Sequence, residues 1–295
     1  MTTTTTTPQA RSDTTRAVLW MTGAVVSFIS MALAGRAVSV ELDTFEIMLF
    51  RSLVGLVVMS VIITARARWS EISTRRMGLH GVRNLCHFTG QNLWFYAITV
   101  IPLTQVFALE FTSPLWVLVL SPLILGERLT PVRGLSALIG FVGILIVTRP
   151  GTAPLSAGLV CAALAAVCFA ATNVLTRRLT RDVSVMNILF WLTALQAIFG
   201  VMCAGADLDI ALPSAEALPL IVLIGAAGLM AHFCLTSALR LAPATVVMPV
   251  DFARLPLAAI IGALIYHEPL DPYVLLGAAV IFGGNYLNIW NETRA

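Results

Sequence analysis

Seven ionisable side chains lie inside long apolar stretches of this 295-residue chain. A charge at the centre of a lipid bilayer costs ~2.5–3.5 kcal/mol on insertion scales, and residues of this kind commonly bind substrates or carry protons. They are therefore the first candidates for chemistry. The seven are Glu46, Arg51, Arg83, His87, Glu110, Asp251 and Arg254.

The mixture of acids and arginines predicts a substrate that carries both charges. An arginine fork binds a carboxylate through parallel hydrogen bonds, whereas Glu110 or Asp251 suits an ammonium or sulfonium group. We expect Arg254 to hold the substrate's carboxylate, because a pair with Asp251 one turn away leaves several of its five N–H donors unused. The alternative is a closed Asp251–Arg254 pair with no ligand role.

The remaining charges have structural alternatives as well. Arg83 and His87 are one helical turn apart and share a face, and together with Arg51 they are candidate substrate contacts. Arg83 can instead extend to the cytoplasmic boundary, and His87 can be a hydrogen-bonded core residue. Packing between repeats is the alternative for Arg51 and Glu46.

Other polar and aromatic residues extend the candidate site. Tyr96 and Asn173 supply hydrogen-bonding groups, and Trp94 supplies an aromatic wall. Three acids, one of them already among the seven, are assigned gating or structural roles, because they lie beside helix ends or suit packing between repeats. These three acids are Glu46, Glu127 and Glu268.

Enzyme chemistry is disfavoured by the motifs. The sequence contains no HExxH, no GxSxG and no nucleotide-binding loop, so no catalytic residue is assigned. The five cysteines fall within apolar stretches without metal-ligand spacing, and neither a metal nor a cofactor is expected. An intramembrane enzyme remains a disfavoured alternative, and a scaffold or receptor would leave the seven buried ionisable groups unexplained.

The elements that must position these residues are duplicated. Residues 102–131 recur at 243–272, an offset of 141 residues that also extends well outside this block. A duplicated half-protein is the simplest explanation. Pairs at this offset include Glu110 with Asp251, Arg36 with Arg177, and Gly143 with Gly284.

The composition is that of a membrane protein. Hydrophobic residues make up 58% and charged residues 11% of the chain, with a mean hydropathy of +0.91, whereas soluble domains have about 25% charged residues. Runs of ~20 apolar residues, each long enough to cross ~30 Å of hydrocarbon, predict an all-α membrane protein with ten spans. The net charge of +3 gives no indication of nucleic-acid binding. The predicted spans are 17–35, 43–64, 79–99, 102–124, 131–148, 158–176, 184–204, 217–239, 244–265 and 272–291.

The arginine distribution predicts that both termini are cytoplasmic. All 18 basic residues are Arg, and with the N-terminus inside, thirteen lie in inner segments and two in outer loops. Five spans per half then make the halves antiparallel, as an inverted repeat. The predicted organisation is a disordered cytoplasmic tail (1–16), the first repeat (17–148), a linker (149–157), the second repeat (158–291) and a cytoplasmic tail (292–295).

Several residue patterns together resemble a known transporter family. They are the run from Pro114 to Glu127-Arg128, its weaker copy Ile265-Tyr266-His267-Glu268, Arg51 in Phe50-Arg51-Ser52, and the glycines Gly140 and Gly143. This pattern resembles the drug/metabolite transporter superfamily, in particular bacterial ten-span permeases with two EamA-type repeats. The resemblance implies an inner-membrane protein with a central cavity between the halves. This cavity is lined mainly by the third, fourth, eighth and ninth spans, with help from the first, second, sixth and seventh.

We interpret the sequence as a secondary transporter that moves a small metabolite by alternating access. A zwitterion such as an amino acid or a derivative is favoured, and the resemblance favours export. The alternative is a proton-coupled exporter of organic cations, in which Glu110 and Asp251 exchange protons for cargo. Expected partners are the small-molecule substrate, the lipid bilayer and a proton as candidate coupling ion, and the protein is expected to be a monomer or homodimer.

Overall fold

The structure is a computed structural model and describes residues 8–126, 130–149, 155–206, 208–241 and 250–292. Within these ranges it contains eleven α-helices, a short 3-10 helix at Trp69–Glu71 and no strand. The α-helices are α1 (Pro8–Val38), α2 (Thr44–Ala65), α3 (Met77–Val100), α4 (Leu103–Glu110), α5 (Ser113–Leu125), α6 (Pro131–Thr148), α7 (Ala157–Leu179), α8 (Val185–Ala204), α9 (Ala217–Leu241), α10 (Arg254–Ile265) and α11 (Pro272–Glu292).

The helices confirm the predicted all-α membrane fold. Eight helical segments of the described residues are long and apolar enough to cross a membrane, and α4 with α5 counts as one of them. The helix α10 is apolar but shorter. The helix α3 has 24 residues, or ~36 Å, but polar side chains along its buried face lower its hydropathy. With α3 and α10 added, the count agrees with ten spans.

The first helix begins earlier than the sequence predicts. It starts at Pro8, so residues 8–16, expected to belong to a disordered tail, are helical. Once an apolar span has formed a helix, each added residue gains a hydrogen bond without a new nucleation cost. Residues 1–7, residues 150–154 of the expected linker and residues 293–295 of the expected C-terminal tail lie outside the described residues.

A capping box starts α2 and explains the buried acid Glu46. The Asp43 carboxylate accepts a hydrogen bond from the Glu46 N–H at 2.8 Å, and the Glu46 carboxylate accepts one from the Asp43 N–H at 2.9 Å. This exchange satisfies donors that the first helical turn leaves open. The second Glu46 oxygen accepts from the Ala211 N–H at 2.6 Å. Glu46 therefore joins the start of α2 to the segment before α9.

Contacts between equivalent helices demonstrate that the two repeats are inverted. The helix α2 packs against α8, its equivalent at the 141-residue offset, with Gly200 against Leu49 and Gly55 against Thr193. Residue numbers rise along one helix as they fall along the other, so the two equivalents are antiparallel. The pair α6 and α11 is also antiparallel. There Gly143 packs against Gly277 and Ile281, and Gly284 packs against Ser136 and Gly140.

Two spans are interrupted at equivalent positions. The span formed by α4 and α5 breaks at residues 111–112, and the span that ends in α10 breaks at 252–253, 141 residues later. Pro114 and Pro256 follow the two breaks, and a proline lacks the N–H and excludes the carbonyl that a continuous helix needs. The residues before the breaks are Glu110 and Asp251, and those after them are Ser113 and Arg254.

Candidate functional site

The two helix breaks bring three charged side chains together. Arg254 donates from Nη1 to Glu110 Oε1 at 2.8 Å and from Nη2 to Asp251 Oδ2 at 2.6 Å. The side chains of Arg254 and Asp251 are each 6% exposed, and that of Glu110 is 17% exposed. Because Glu110 belongs to the first repeat and Arg254 to the second, this cluster connects the two halves.

Aromatic rings surround the guanidinium of this cluster. The guanidinium carbon of Arg254 lies 4.6 Å from the ring centroid of Phe28, 4.8 Å from that of Phe111 and 5.7 Å from that of Phe107. Cations within ~6 Å of a ring centroid are attracted by the negative face of the ring. Trp94 completes the enclosure, since its indole N–H donates to Glu110 Oε2 at 2.8 Å. These groups form a cation-binding enclosure, here called the cage.

The cage contains more acid than base. With both carboxylates ionised, Glu110 and Asp251 carry two negative charges against the one positive charge of Arg254. Within the described part of the chain, Asp251 Oδ1 and Arg254 Nε are buried without a hydrogen-bond partner. The closed Asp251–Arg254 pair considered from the sequence does form, but Glu110 joins it.

The break in the first repeat is also tied to the last helix. The carbonyl of Phe111, at the interruption, accepts a hydrogen bond from Asn285 Nδ2 on α11 at 2.8 Å. A buried carbonyl that leaves a helix needs such a partner. The interruption is therefore hydrogen-bonded to the surrounding bundle.

A second polar region lies at a narrow cavity between α2, α3, α8 and α9. Its wall includes a positively charged side chain and several neutral polar groups. His87 Nδ1 and Gln196 Nε2 are buried there, and neither has a partner among the described residues. Such atoms are expected to bind water or a ligand, because a buried polar group without a partner is costly. The polar lining residues are Arg51, Ser52, His87, Thr193, Gln196 and His232.

Arg51 is the fixed charge of this cavity. Its Nη1 donates to the Gln91 side-chain oxygen, and its guanidinium carbon lies 5.8 Å from the Phe95 ring centroid. A side chain at Gly228 would come 3.0 Å from Arg51 Nη2, so a glycine leaves room for the guanidinium. Arg51 forms no ion pair within the ranges that the structure describes. It is therefore suited to bind an anionic group.

Arg83 lies one turn before His87 and makes neutral contacts. It donates from Nε to Thr176 Oγ1 at 3.0 Å and from Nη1 to Asn84 Oδ1 at 2.9 Å. The Arg83 residue is 5% exposed, so it is packed inside the bundle rather than extended into solvent. Its contact with Thr176 joins α3 to α7.

The cage and the cavity are neighbours along α3. Gln91 contacts Arg51 of the cavity, and Trp94, three residues later, contacts Glu110 of the cage. Residues three apart on a helix are ~5–6 Å from each other. The two regions are therefore adjacent on α3.

Other candidates from the sequence, besides Arg83 and Glu46, also lie away from these two regions. Tyr96 is 40% exposed and Asn173 is also exposed on its helix, so the structure does not bring either side chain to the cage or the cavity. Glu268 pairs with Arg36 at an end of the bundle. Glu127 lies outside the described residues.

The sequence interpretation did not select four polar residues of the cavity. Ser52 follows the candidate Arg51 in span two, and the other three lie in spans seven and eight, where each reads as an isolated polar residue. These three are Thr193, Gln196 and His232. The repeat offset carried a signal, because Thr193 is equivalent to Ser52 and His232 to Gln91. Polar residues at equivalent positions of two repeats mark the surface where the halves meet.

Relatives from two transporter groups resemble most of this chain. A protein named S-adenosylmethionine uptake transporter from Rickettsia felis is 25% identical over 276 residues, covering 94% of this chain and 93% of that protein. A protein named riboflavin transporter from Brucella anthropi is 32% identical over 218 residues, covering 72% of this chain and 77% of that protein.

The fold and the repeats have matches of their own. A solved crystal structure with 19% sequence identity has a TM-score of 0.64 and covers 94% of this chain and 98% of that one. The family model described as EamA-like transporter family matches residues 15–149 and again 156–290. These two matches begin 141 residues apart, the offset of the internal repeat. The chain therefore belongs to the EamA-like transporter family, within the drug/metabolite transporter superfamily, and is a transporter rather than an enzyme.

Proposed function

We propose that this protein carries a small zwitterionic metabolite, an amino acid or a derivative of one, across the bacterial inner membrane by alternating access. The observation that carries the proposal is the pairing of two adjacent buried regions with opposite charge. The cavity presents Arg51 without an acidic partner among the described residues, and the cage presents two carboxylates to one guanidinium. A molecule with both charges satisfies both regions.

Arg51, rather than Arg254, is the better candidate for the anionic group. Both terminal nitrogens of Arg254 donate to carboxylates, so a substrate carboxylate there would have to displace an acid of the protein. Arg51 donates to the neutral Gln91 and borders the cavity, where His87 and Gln196 have unsatisfied atoms. An arginine with free donors suits a carboxylate or another planar anion.

The names of the relatives narrow the choice of test compounds. S-adenosylmethionine combines an amino-acid group with a sulfonium cation, and its transporters resemble this chain over 94% of its length. Riboflavin carries neither charge, yet a riboflavin transporter is 32% identical. The charged interior favours the first kind of compound. A bare organic cation is the second candidate, favoured by the surplus of acid in the cage.

The direction of transport and the coupling ion can be tested together with the substrate. The sequence interpretation favours export, whereas the Rickettsia felis relative is named an uptake transporter. A proton is the candidate coupling ion, because Glu110 and Asp251 are buried carboxylates, and a carboxylate can bind a proton. We infer that the substrate is exported in exchange for protons, which enter down their gradient and bind to these acids.

Counterflow in proteoliposomes is the decisive experiment. Purified protein would be tested with S-adenosylmethionine, S-adenosylhomocysteine, methionine, riboflavin and tetramethylammonium, in both directions and with or without a pH gradient. We expect exchange of one or more amino-acid derivatives, and we expect Arg51→Gln to weaken their binding about tenfold or more. Exchange of riboflavin alone, or of tetramethylammonium alone, would refute the zwitterion proposal.

A further inference from the structure

We propose that Arg254 is a built-in occupant of the cage, and that the cationic group of the substrate takes its place between Glu110, Asp251 and the phenyl rings during transport. This inference rests on the proposed function, since it assigns the site of the substrate's cation. It also reverses the expected role of Arg254, which becomes a competitor of the substrate rather than its ligand.

The composition of the cage supports a cation site that is general rather than specific to Arg254. Two carboxylates and three phenyl rings face the guanidinium. Rings and acids in this arrangement recognise ammonium, guanidinium and sulfonium groups by charge and polarizability, without a required shape. The surplus negative charge and the unpaired Asp251 Oδ1 allow the cage to attract a second cation.

The position of Arg254 suits an occupant that can leave. Arg254 is the first residue of α10, directly after the turn at residues 252–253. A positive side chain at a helix N-terminus is disfavoured by the helix dipole, so α10 does not itself stabilise this placement. The backbone of the turn at residues 252–253 is not held in a helix, so a rotation there can move the Arg254 side chain.

Displacement of Arg254 would connect binding with movement of the halves. The Arg254–Glu110 hydrogen bond crosses from the second repeat to the first. When a substrate cation takes the place of Arg254, this hydrogen bond between the repeats is lost. The substrate then contacts Glu110 of the first repeat and Asp251 of the second. A substrate with a cation would therefore promote exchange between the two orientations, and one without a cation would not.

The test uses a variant with an emptied cage and small cations as probes. In Arg254→Gln, trimethylsulfonium or guanidinium chloride at low millimolar concentration should raise the melting temperature of the purified protein saturably, beyond sodium chloride at matched ionic strength. The parent should respond at least about tenfold more weakly, because a tethered group competes at millimolar effective concentration. An equal response of variant and parent, or no response beyond sodium in either, would overturn the proposal.

A matched pair of ring variants locates the probe. Phe111 and Phe252 are equivalent at the repeat offset and stack with ring centroids 4.3 Å apart, while Arg254 lies over Phe111. In the Arg254→Gln background, Phe111→Leu should remove most of the probe's effect, and Phe252→Leu should preserve it. The reverse order would place the cation elsewhere and refute the cage. Should Arg254→Gln not fold, Arg254→Lys serves. Its shorter side chain lacks the planar fork whose two nitrogens reach Glu110 and Asp251 separately, so its probe response should exceed the parent's.

The substrate itself separates this inference from the proposed function. For an amino-acid derivative found by counterflow, Arg254→Gln should bind it about tenfold more tightly than the parent. Weaker binding would mean that Arg254 holds the substrate's anion, and the inference would fail while the zwitterion proposal stands. If no zwitterion is transported but trimethylsulfonium still stabilises Arg254→Gln, the cage stands and the proposed function fails.

Discussion

Among single residues, Glu110 is the acid whose charge we expect to matter most for transport. One of its oxygens accepts from Arg254 of the other repeat and the second accepts from Trp94. Glu110→Gln keeps the shape but removes the charge that both the cluster and a substrate cation require. We expect uptake into proteoliposomes to fall at least about tenfold at matched protein amounts.

The control for this variant is Glu71→Gln. Glu71 is also an acid paired with an arginine, but its partner Arg68 is 54% exposed and the pair lies in a short connecting segment. Exposed pairs contribute little, so transport by this variant should match that of the parent. Near-parental uptake by Glu110→Gln would contradict a substrate or proton role for that residue.

The sequence predicted which residues are buried charges but not their partners. Hydropathy identifies a charge inside an apolar run, because placing it there is costly. Glu110 and Arg254 are 144 residues apart, and they meet only because the inverted halves bring two breaks together. Tyr96 and Asn173 lie away from the cage and the cavity for a related reason. The overall hydropathy of a span does not indicate which side of its helix faces the bundle.

Among the elements, the contact between α6 and α11 offers a test with neighbouring glycines. A side chain at Gly284 would come 2.9 Å from the Ser136 carbonyl oxygen, whereas one at Gly283 would meet no atom within 4 Å. We expect Gly284→Ala to lower stability by about 1–3 kcal/mol through overpacking. Gly283→Ala should raise it by about 0.5–1 kcal/mol, because alanine favours the helix.

Thermal or denaturant unfolding in detergent would measure the stability of both variants. The two substitutions add the same methyl group one residue apart, so any effect that does not depend on the position of that methyl group is the same in both. If both variants shift stability in the same direction, then α6 and α11 do not approach each other as closely as these contacts require.

The element boundaries could be predicted better than the interruptions within spans. Hydropathy over ~20 residues predicted one continuous fourth span at 102–124, since α4 and α5 are both apolar. The breaks depend on single residues, and Pro114 and Pro256 were present in the sequence as signals. A proline in the middle of a transmembrane span is also compatible with a continuous or kinked helix, so the sequence alone did not place the interruption.

For the whole molecule, connecting segments are grouped on two opposite faces. On one face, Glu41 accepts hydrogen bonds from the backbone and the hydroxyl of Ser214. On the other, Arg76 pairs with Asp182 at 2.9 Å. The duplication predicted that the halves are inverted, and the arginine count predicts that the Arg76 face is cytoplasmic.

Cysteine labelling in intact cells would test this orientation. Native Cys203 is exposed near the Glu41 face, so we would first replace it with serine. In that background, Leu212→Cys, at a position that is 79% exposed, should react with an impermeant maleimide from outside. Ser70→Cys, on the Arg76 face, should react only after permeabilisation. The opposite pattern would reverse the predicted topology.

At the face predicted to be outside, a buried ion pair joins the two repeats. Arg36 of the first repeat pairs with Glu268 of the second, each side chain being less than 15% exposed. Arg36 also donates to the Ile101 carbonyl oxygen at 2.8 Å, and Glu268 accepts from the Leu103 N–H at 3.0 Å. Both partners thus hold the connection between α3 and α4, so the pair should keep this face shut.

Glu268→Gln should therefore open the predicted outer face, because it removes the charge that holds Arg36 but keeps the side-chain shape. Thr104 is buried on α4 and directly follows Leu103, whose N–H contacts Glu268. Thr104→Cys should react with an impermeant maleimide at least about tenfold faster in the Glu268→Gln background.

Asp271→Asn is the matched control for Glu268→Gln. Asp271 pairs with the more exposed Arg149 and accepts from the Tyr273 N–H through its side chain. Asparagine can keep that backbone contact, and an exposed pair contributes little, so labelling should be unchanged. Equal labelling in both backgrounds would show that the Arg36–Glu268 pair does not control access from this face.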